Sequence, residues 1–253
     1  MDGRARFSRQ LYPLFGLHRS WTRRYAFHNL NALLNGPPDL DPVALARSLR
    51  RYRGGYCHEL NSAFKAQLES RDIETTPYLA KVMYRSAGRV LSPSHLYLLA
   101  RVSKRLVLCD VGFGNGLLWP IELDTPDERR QSALSFQLRT SDRDRGLWIR
   151  ERGQWDELYR LAEEPCHQDH LKIANHYSAS SPESLFSSNV ALTCYVCGGR
   201  RRLLNRRYVD EAQKTVLLDS RSAFGACLHD HFDLRLTTNE VGHLFEIASK
   251  VPQ

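Results

Sequence analysis

No run of apolar residues in this chain approaches the roughly 20 that a membrane-crossing helix needs. The first residues, Met1-Asp2-Gly3-Arg4-Ala5-Arg6-Phe7, are basic but lack the apolar stretch of a secretion signal. Cysteine is sparse and scattered, with Cys57, Cys109, Cys166, Cys194, Cys197 and Cys227 the only six in 253 residues. That spacing is no disulfide framework, and a chain of this length has enough core to need none. Internal repeats and low-complexity segments are missing too. These absences predict a cytoplasmic protein with reduced thiols, no membrane association, and one large domain or two to three small ones.

Positive charge is in excess. The net charge is +8, and arginine clusters at Arg47-Ser48-Leu49-Arg50-Arg51-Tyr52-Arg53 and at Gly199-Arg200-Arg201-Arg202. Such an excess suggests an anionic partner, although charge alone favours a solvated basic face. Nucleic acid, a phosphate-bearing cofactor such as coenzyme A, and an acidic carrier protein are the candidates. No helix-turn-helix, zinc-finger or RNA-recognition motif accompanies the charge, so no nucleic-acid partner is expected.

The most informative stretch is Arg53-Gly54-Gly55-Tyr56-Cys57-His58-Glu59-Leu60-Asn61. It sets one cysteine after a glycine pair at the start of a helical pattern, where free N–H groups and the helix dipole favour a thiolate. A histidine follows in Ser94-His95-Leu96 and an aspartate in Cys109-Asp110-Val111-Gly112-Phe113-Gly114. Cys57, His95 and Asp110 are the residue types of an activated nucleophile whose base is oriented by a third group. Taken singly, each has a plainer reading: a buried structural thiol, a hydrogen-bonded strand histidine and a turn residue before glycine.

Residues up to about Asp72 read mainly as helices. Asp41 is a candidate N-cap with Pro42 at the first helical position, and Val43, Leu45, Ala46 and Leu49 suit one apolar face. Leu60, Phe64 and Leu68 recur at helical spacing after Cys57, with Ala63 alongside. From Thr75 the pattern turns strand-like, with a hairpin over 95–111 that brings His95 and Asp110 together. Further hairpins are expected around Gly153 and Gly198, a short helix over 171–177, and a mixed tail from about Asp219.

These motifs resemble the arylamine N-acetyltransferases along nearly the whole chain. Besides the cysteine block, His95 and the Asp110-Val111-Gly112-Phe113-Gly114 run, the likeness includes Phe27-His28-Asn29-Leu30 and Pro37-Pro38-Asp39-Leu40-Asp41. It continues through Trp155, Leu158-Tyr159, Ala174-Asn175-His176-Tyr177 and Arg206-Arg207-Tyr208. The resemblance implies an α+β fold with a cysteine-protease-like Cys-His-Asp triad. A helical domain (1–72) would carry the nucleophile, a central β-barrel (73–172) His95 and Asp110, and a small α/β domain (173–253) the lid. It also implies ping-pong acyl transfer. Cys57 would take an acyl group from a thioester, His95 would move protons, and Asp110 would steady His95. Phe27, Phe113 and Gly114 would line a slot shared by the donor's pantetheine arm and the acceptor. Phe27 and Phe113 also fit as plain core aromatics.

The implied co-substrate is an acyl-CoA or acyl-carrier thioester, with no tightly bound cofactor and a small-molecule amine as acceptor. An amide synthase of the same broad family is the alternative; it would release a carrier-bound polyketide or other acyl chain onto an amine. Four positions depart from the family pattern: His28 for glutamate, His58 for an aromatic residue, Ser94 for threonine, and Asn115 inside the expected glycine pair. The N-terminus also reads as shorter than the family's. Together these departures suggest a specialised donor or acceptor.

Gly112-Phe113-Gly114-Asn115-Gly116 lacks the pattern of a P-loop or dinucleotide fingerprint and reads as a turn lining a ligand slot. Cys194-Tyr195-Val196-Cys197 has the spacing of half a zinc knuckle, which Cys166, His170, Cys227 or His229 could complete. No second such pair exists and the segment suits a hairpin strand, so no metal is expected.

Overall fold

The computed structural model describes residues 3–84, 86, 92–140 and 144–250. The first third supplies α1 (Gly3–Arg24), β1 (Ala26–His28), α2 (Leu30–Asn35), α3 (Pro42–Tyr52), β2 (Gly54–Gly55) and α4 (Cys57–Glu69). Asp41 caps α3 as expected, its carboxylate accepting from the N–H groups of Val43 and Ala44. The apolar face of α3 differs from expectation. Leu45, Leu49 and Tyr52 are buried, whereas Val43 is 67 % exposed and Ala46 also faces solvent. On α4, Leu60, Phe64 and Leu68 are fully buried and anchor the helix against Leu14, Leu98 and Val107.

The middle of the chain folds into eight strands. They are β3 (Thr75–Val82), β4 (His95–Val102), β5 (Arg105–Cys109), β6 (Ile121–Glu122), β7 (Arg129–Gln131), β8 (Leu134–Thr140), β9 (Arg145–Glu151) and β10 (Gln154–Arg160). Their order is β6-β5-β4-β3-β10-β9-β8-β7, and the sheet curls into a nearly closed barrel. The edges meet where Gln131 of β7 accepts from the N–H groups of Leu118 and Trp119 and donates to the Trp119 carbonyl. Phe136, Leu147, Leu158 and Tyr159 fill its interior. The β9–β10 turn is Arg152-Gly153, both at positive φ, the geometry of a tight hairpin.

The last third contains α5 (Gln168–Ser180), α6 (Leu185–Ser188), β11 (Ala191–Val196), β12 (Gly199–Leu204), β13 (Arg207–Val209), β14 (Thr215–Leu217), α7 (Arg221–Phe232) and α8 (Thr238–Lys250). Its sheet has the order β14-β13-β12-β11-β1-β2 and so takes two strands from the first third. Residue 172, the expected boundary between barrel and lid, lies within α5. The three segments interlock through these shared elements. Among the described residues, no helix is long and apolar enough to cross a membrane.

That shared sheet explains the glycine pair before Cys57. Strand β2 lies parallel to β1, pairing Ala26 with Gly54 and Phe27 with Gly55. A Cβ on Gly54 would sit 2.0 Å from the Ala26 carbonyl oxygen, and one on Gly55 would sit 2.7 Å from Glu59 Oε2. Only glycine fits at both positions, and the chain is thereby aimed into α4 with Cys57 as its first residue.

Candidate active site

Cys57 sits in the first turn of α4, whose early N–H groups have no partner within the helix. Glu59 closes that end by accepting from the Tyr56 N–H at 3.2 Å. Its other oxygen accepts from Asn31 and Ser48, at 2.8 and 2.9 Å. Burial raises the Glu59 carboxyl to about 7 against the pull of these donors. The glutamate of the cysteine block therefore braces the helix start.

Strands β4 and β5 form the expected hairpin, with Leu98 opposite Cys109. One step beyond that pair, Asp110 comes opposite Tyr97, so His95 lies diagonally across on the same face. His95 Nε2 donates to Asp110 Oδ2 at 2.8 Å. Its Nδ1 is the ring nitrogen left for the thiol. Cys57 Sγ lies 4.0 Å from the Ser94 carbonyl oxygen, immediately before His95. Cys57, His95 and Asp110 are thus brought together, with exposures of 4, 3 and 1 %.

Asp110 is held from every side. Its Oδ1 accepts from Asn61 Nδ2 at 2.9 Å and from the Gly112 N–H at 3.0 Å. Its Oδ2 accepts from the Tyr159 hydroxyl at 2.9 Å in addition to His95. Its own N–H donates to His18 Nε2 at 3.1 Å, while His18 Nδ1 donates to the Leu118 carbonyl at 3.1 Å. Burial draws His18 down to about 4, which keeps it neutral and able to accept.

The electrostatics follow from this packing. Burial alone would push the Cys57 thiol up. The His58 and His95 imidazoles outweigh it and draw the thiol down to about 5. Burial alone would lower His95, but the Asp110 carboxylate and the Cys57 sulfur raise it to about 10. Burial opposes ionisation of Asp110, and His95, Asn61 and Gly112 overcome it, holding the carboxyl below its ordinary range. The thiol is thus drawn down and the imidazole up, the directions that favour a thiolate–imidazolium pair. The contrast is Cys109, buried beside Asp110, whose thiol is pushed well up.

The expected slot residues also meet. Phe27, Phe113 and Gly114 line one narrow crevice with Thr193 and Tyr195 of β11. The Phe113 ring stands edge-on to His95 with centroids 4.9 Å apart. A Cβ on Gly114 would come within 3.0 Å of the Phe27 ring, so glycine keeps the crevice open there.

The four departures have separate settings. His28 is buried and donates through Nε2 to the Tyr52 carbonyl at 2.9 Å, a structural role. His58 is buried beside the nucleophile, its Nε2 3.4 Å from Ser178 Oγ. The Ser94 carbonyl oxygen lies 4.0 Å from the Cys57 sulfur. Asn115 accepts from Arg200. Local sequence assigned no role to His18, Tyr159 or the Asn61 side chain, because each acts across a tertiary contact. The Cys194–Cys197 pair does not converge, since Cys194 packs against the C-terminal core and Cys197 is exposed in the hairpin turn. Among the described residues, no group of three or more His, Cys, Asp or Glu is disposed to hold a metal ion.

Comparison with known proteins agrees with this architecture. The N-acetyltransferase family model matches residues 10–241. An arylamine N-acetyltransferase of Mycobacterium bovis is 30 % identical over 73 % of this chain and 68 % of its own length. One from Mycolicibacterium smegmatis is 29 % identical over 81 % of this chain and 77 % of its own. The fold also matches that of Mycobacterium marinum arylamine N-acetyltransferase in complex with CoA, at a TM-score of 0.86 and 24 % identity, covering 95 % of this chain and 93 % of that one. On the extent of that family match and the identity to these relatives, the chain belongs to the arylamine N-acetyltransferase family and is an acyltransferase.

Proposed function

We propose that the protein transfers an acetyl group from acetyl-CoA to an arylamine or hydrazine through an acetyl-Cys57 intermediate. The relatives named as arylamine N-acetyltransferases and the M. marinum neighbour's complex with CoA support the donor and the acceptor class. The observation that carries the mechanism is the buried chain of contacts from the Cys57 sulfur through His95 to Asp110.

In the first half-reaction the thiolate attacks the thioester carbonyl, and the resulting oxyanion meets the free N–H groups at the start of α4. Collapse breaks the bond to the CoA sulfur, which leaves as a thiol with the His95 proton. The amine then attacks acetyl-Cys57 and gives its proton to His95. The Cys57 thiolate departs, and the thiolate–imidazolium pair is restored. Asp110 keeps the imidazole in one tautomer and stabilises its charge throughout. Phe27, Phe113 and Gly114 would grip the pantetheine arm first and the acceptor afterwards.

The test is intact-mass measurement after incubation with acetyl-CoA. One acetyl group is expected per chain, on Cys57, absent from Cys57→Ala and discharged by an arylamine. Labelling by carrier-bound acyl chains but not by acetyl-CoA would overturn this reading in favour of an amide synthase.

A further inference from the structure

Asn115, the residue that breaks the glycine pair, leads to a cluster of charge the reaction above does not use. Its Oδ1 accepts from Arg200 Nη1 at 2.7 Å, and Arg200 Nη2 reaches Glu151 Oε1 at 3.1 Å. The Arg200 side chain is only 7 % exposed. Arg202 approaches the same carboxylate at 3.7 Å and donates to Gln213 Oε1 at 2.6 Å. Arg152, next to Glu151, reaches that amide at 3.5 Å. Arg200 and Arg202 therefore converge on one carboxylate, and Arg152 joins Arg202 on the Gln213 amide. Burial and the Arg200 charge hold Arg202 below the usual guanidinium range, with Glu151 opposing and Arg152 adding to the repulsion.

The position of this cluster follows from strand register. Arg200 lies directly opposite Tyr195, and Arg202 directly opposite Thr193. Paired residues on neighbouring strands project to the same face. Thr193 and Tyr195 line the crevice that holds Phe27, Phe113 and Gly114, so the arginines border that crevice on its β12 side. The Tyr195 hydroxyl also donates to the Gly116 carbonyl, tying the glycine loop to the same sheet. A narrow crevice lined by aromatic rings, Thr22 and Thr193 thus lies beside a partly buried surplus of positive charge. A ligand suited to both is a flexible chain that ends in phosphate.

We propose that Arg202 and Arg200, with Arg152 beside them, form the subsite for the phosphate groups of the thioester donor. The assignment rests on reading the crevice as the donor slot. Asn115 then has a purpose: it fixes Arg200 between the glycine loop and Glu151, and Arg202 is the more accessible of the two.

Calorimetric titration with CoA, with pantetheine and with inorganic phosphate tests it without turnover. Arg202→Gln should weaken CoA binding roughly ten- to hundredfold, the loss expected for a charge-assisted phosphate contact. Pantetheine, which has no phosphate, should bind the variant as it binds the wild type, and this reports that the slot is intact. Lys104→Gln, an exposed charge in the turn at the other end of β4 from His95, should change neither affinity. Raising salt should weaken CoA and spare pantetheine. The proposal is overturned if Arg202→Gln leaves CoA affinity unchanged, if it weakens pantetheine equally, if wild-type protein does not bind CoA, or if the variant loses only inorganic phosphate. Acetylation of Cys57 by p-nitrophenyl acetate, a donor without phosphate, tests the acyl-enzyme reading separately.

Discussion

A Cβ placed on Gly112 would lie 2.7 Å from the Cys57 Cα and 2.8 Å from Asn61 Nδ2. The loop after β5 is therefore pressed onto the first turn of α4, backbone against backbone. This contact is what lets a residue at the end of a barrel strand and a residue at the start of a helix share one site. It also gives Gly112 a reason to be glycine that has nothing to do with φ.

Gly112→Ala must push the loop or the helix away. Overpacking of this kind costs about 1–3 kcal/mol, measurable by urea denaturation. The effect on chemistry should be larger in proportion, because a displacement of a fraction of an ångström between reacting groups lowers rate steeply. Acetylation of Cys57 should slow by more than about tenfold while the circular dichroism spectrum stays native. An unimpaired rate would mean that the loop does not position the thiol.

The ion pair predicts an unusual pH profile for alkylation by iodoacetamide. The thiol is held down to about 5, so the wild-type rate should level off above that value. An ordinary cysteine goes on gaining reactivity up to about 8.5. Asp110→Asn removes the charge that raises His95. The imidazolium is then lost at lower pH, the thiolate loses its partner, and the Cys57 inflection should move up. At pH 6 the variant should react at least about tenfold more slowly than wild type. An inflection unmoved by Asp110→Asn would show that the carboxylate does not act through His95.

Tyr159→Phe removes one of the two donors to Asp110 Oδ2 and leaves His95 as the other. A hydrogen bond to a buried charged group contributes about 1.5–3 kcal/mol, which sets the expected loss of stability. Catalysis should survive at reduced rate, since the tautomer of His95 is still fixed. A variant as stable as wild type would indicate that Asp110 is not ionised in the fold.

Much of this arrangement is legible in local sequence. Asp41-Pro42 announces a helix start, the Leu60, Phe64 and Leu68 stripe announces a buried helix, and Gly153 marks its hairpin turn. Periodicity does less well where it is short. On α3 it could not separate Leu45 and Leu49 from Val43 and Ala46, because the direction of the core is set by α4 and not by α3 itself. The Gly54-Gly55 pair hid a strand, since its partner β1 lies far back in sequence and its reason is a close approach. Tyr159 and His18 reach Asp110 from β10 and α1, and no spacing rule records contacts of that range. The meeting of Cys57, His95 and Asp110 was readable because three chemically distinctive residues each sit in a tight local motif. Their supports were not, because a tyrosine inside a barrel looks like core.

Asn61→Asp tests the charge on Asp110 most directly. Asn61 Nδ2 donates to Asp110 Oδ1 and to the Leu96 carbonyl, and its Oδ1 accepts from the Val111 N–H. An ionised aspartate would keep only the last of these bonds and would set a second negative charge against Asp110 in a buried place. One of the two carboxyls must then hold a proton, and Asp110 keeps its charge through His95 and Tyr159, so residue 61 takes it. Its folded pKa rises above its unfolded value of about 3.9. The folded state therefore binds the extra proton above that value, and the variant's stability relative to wild type should fall as pH rises from about 5 to about 8. Urea denaturation of both proteins across that range reads the trend. A deficit that does not change with pH would mean that residue 61 meets no negative charge, and Asp110 could not then be the anion that stabilises His95.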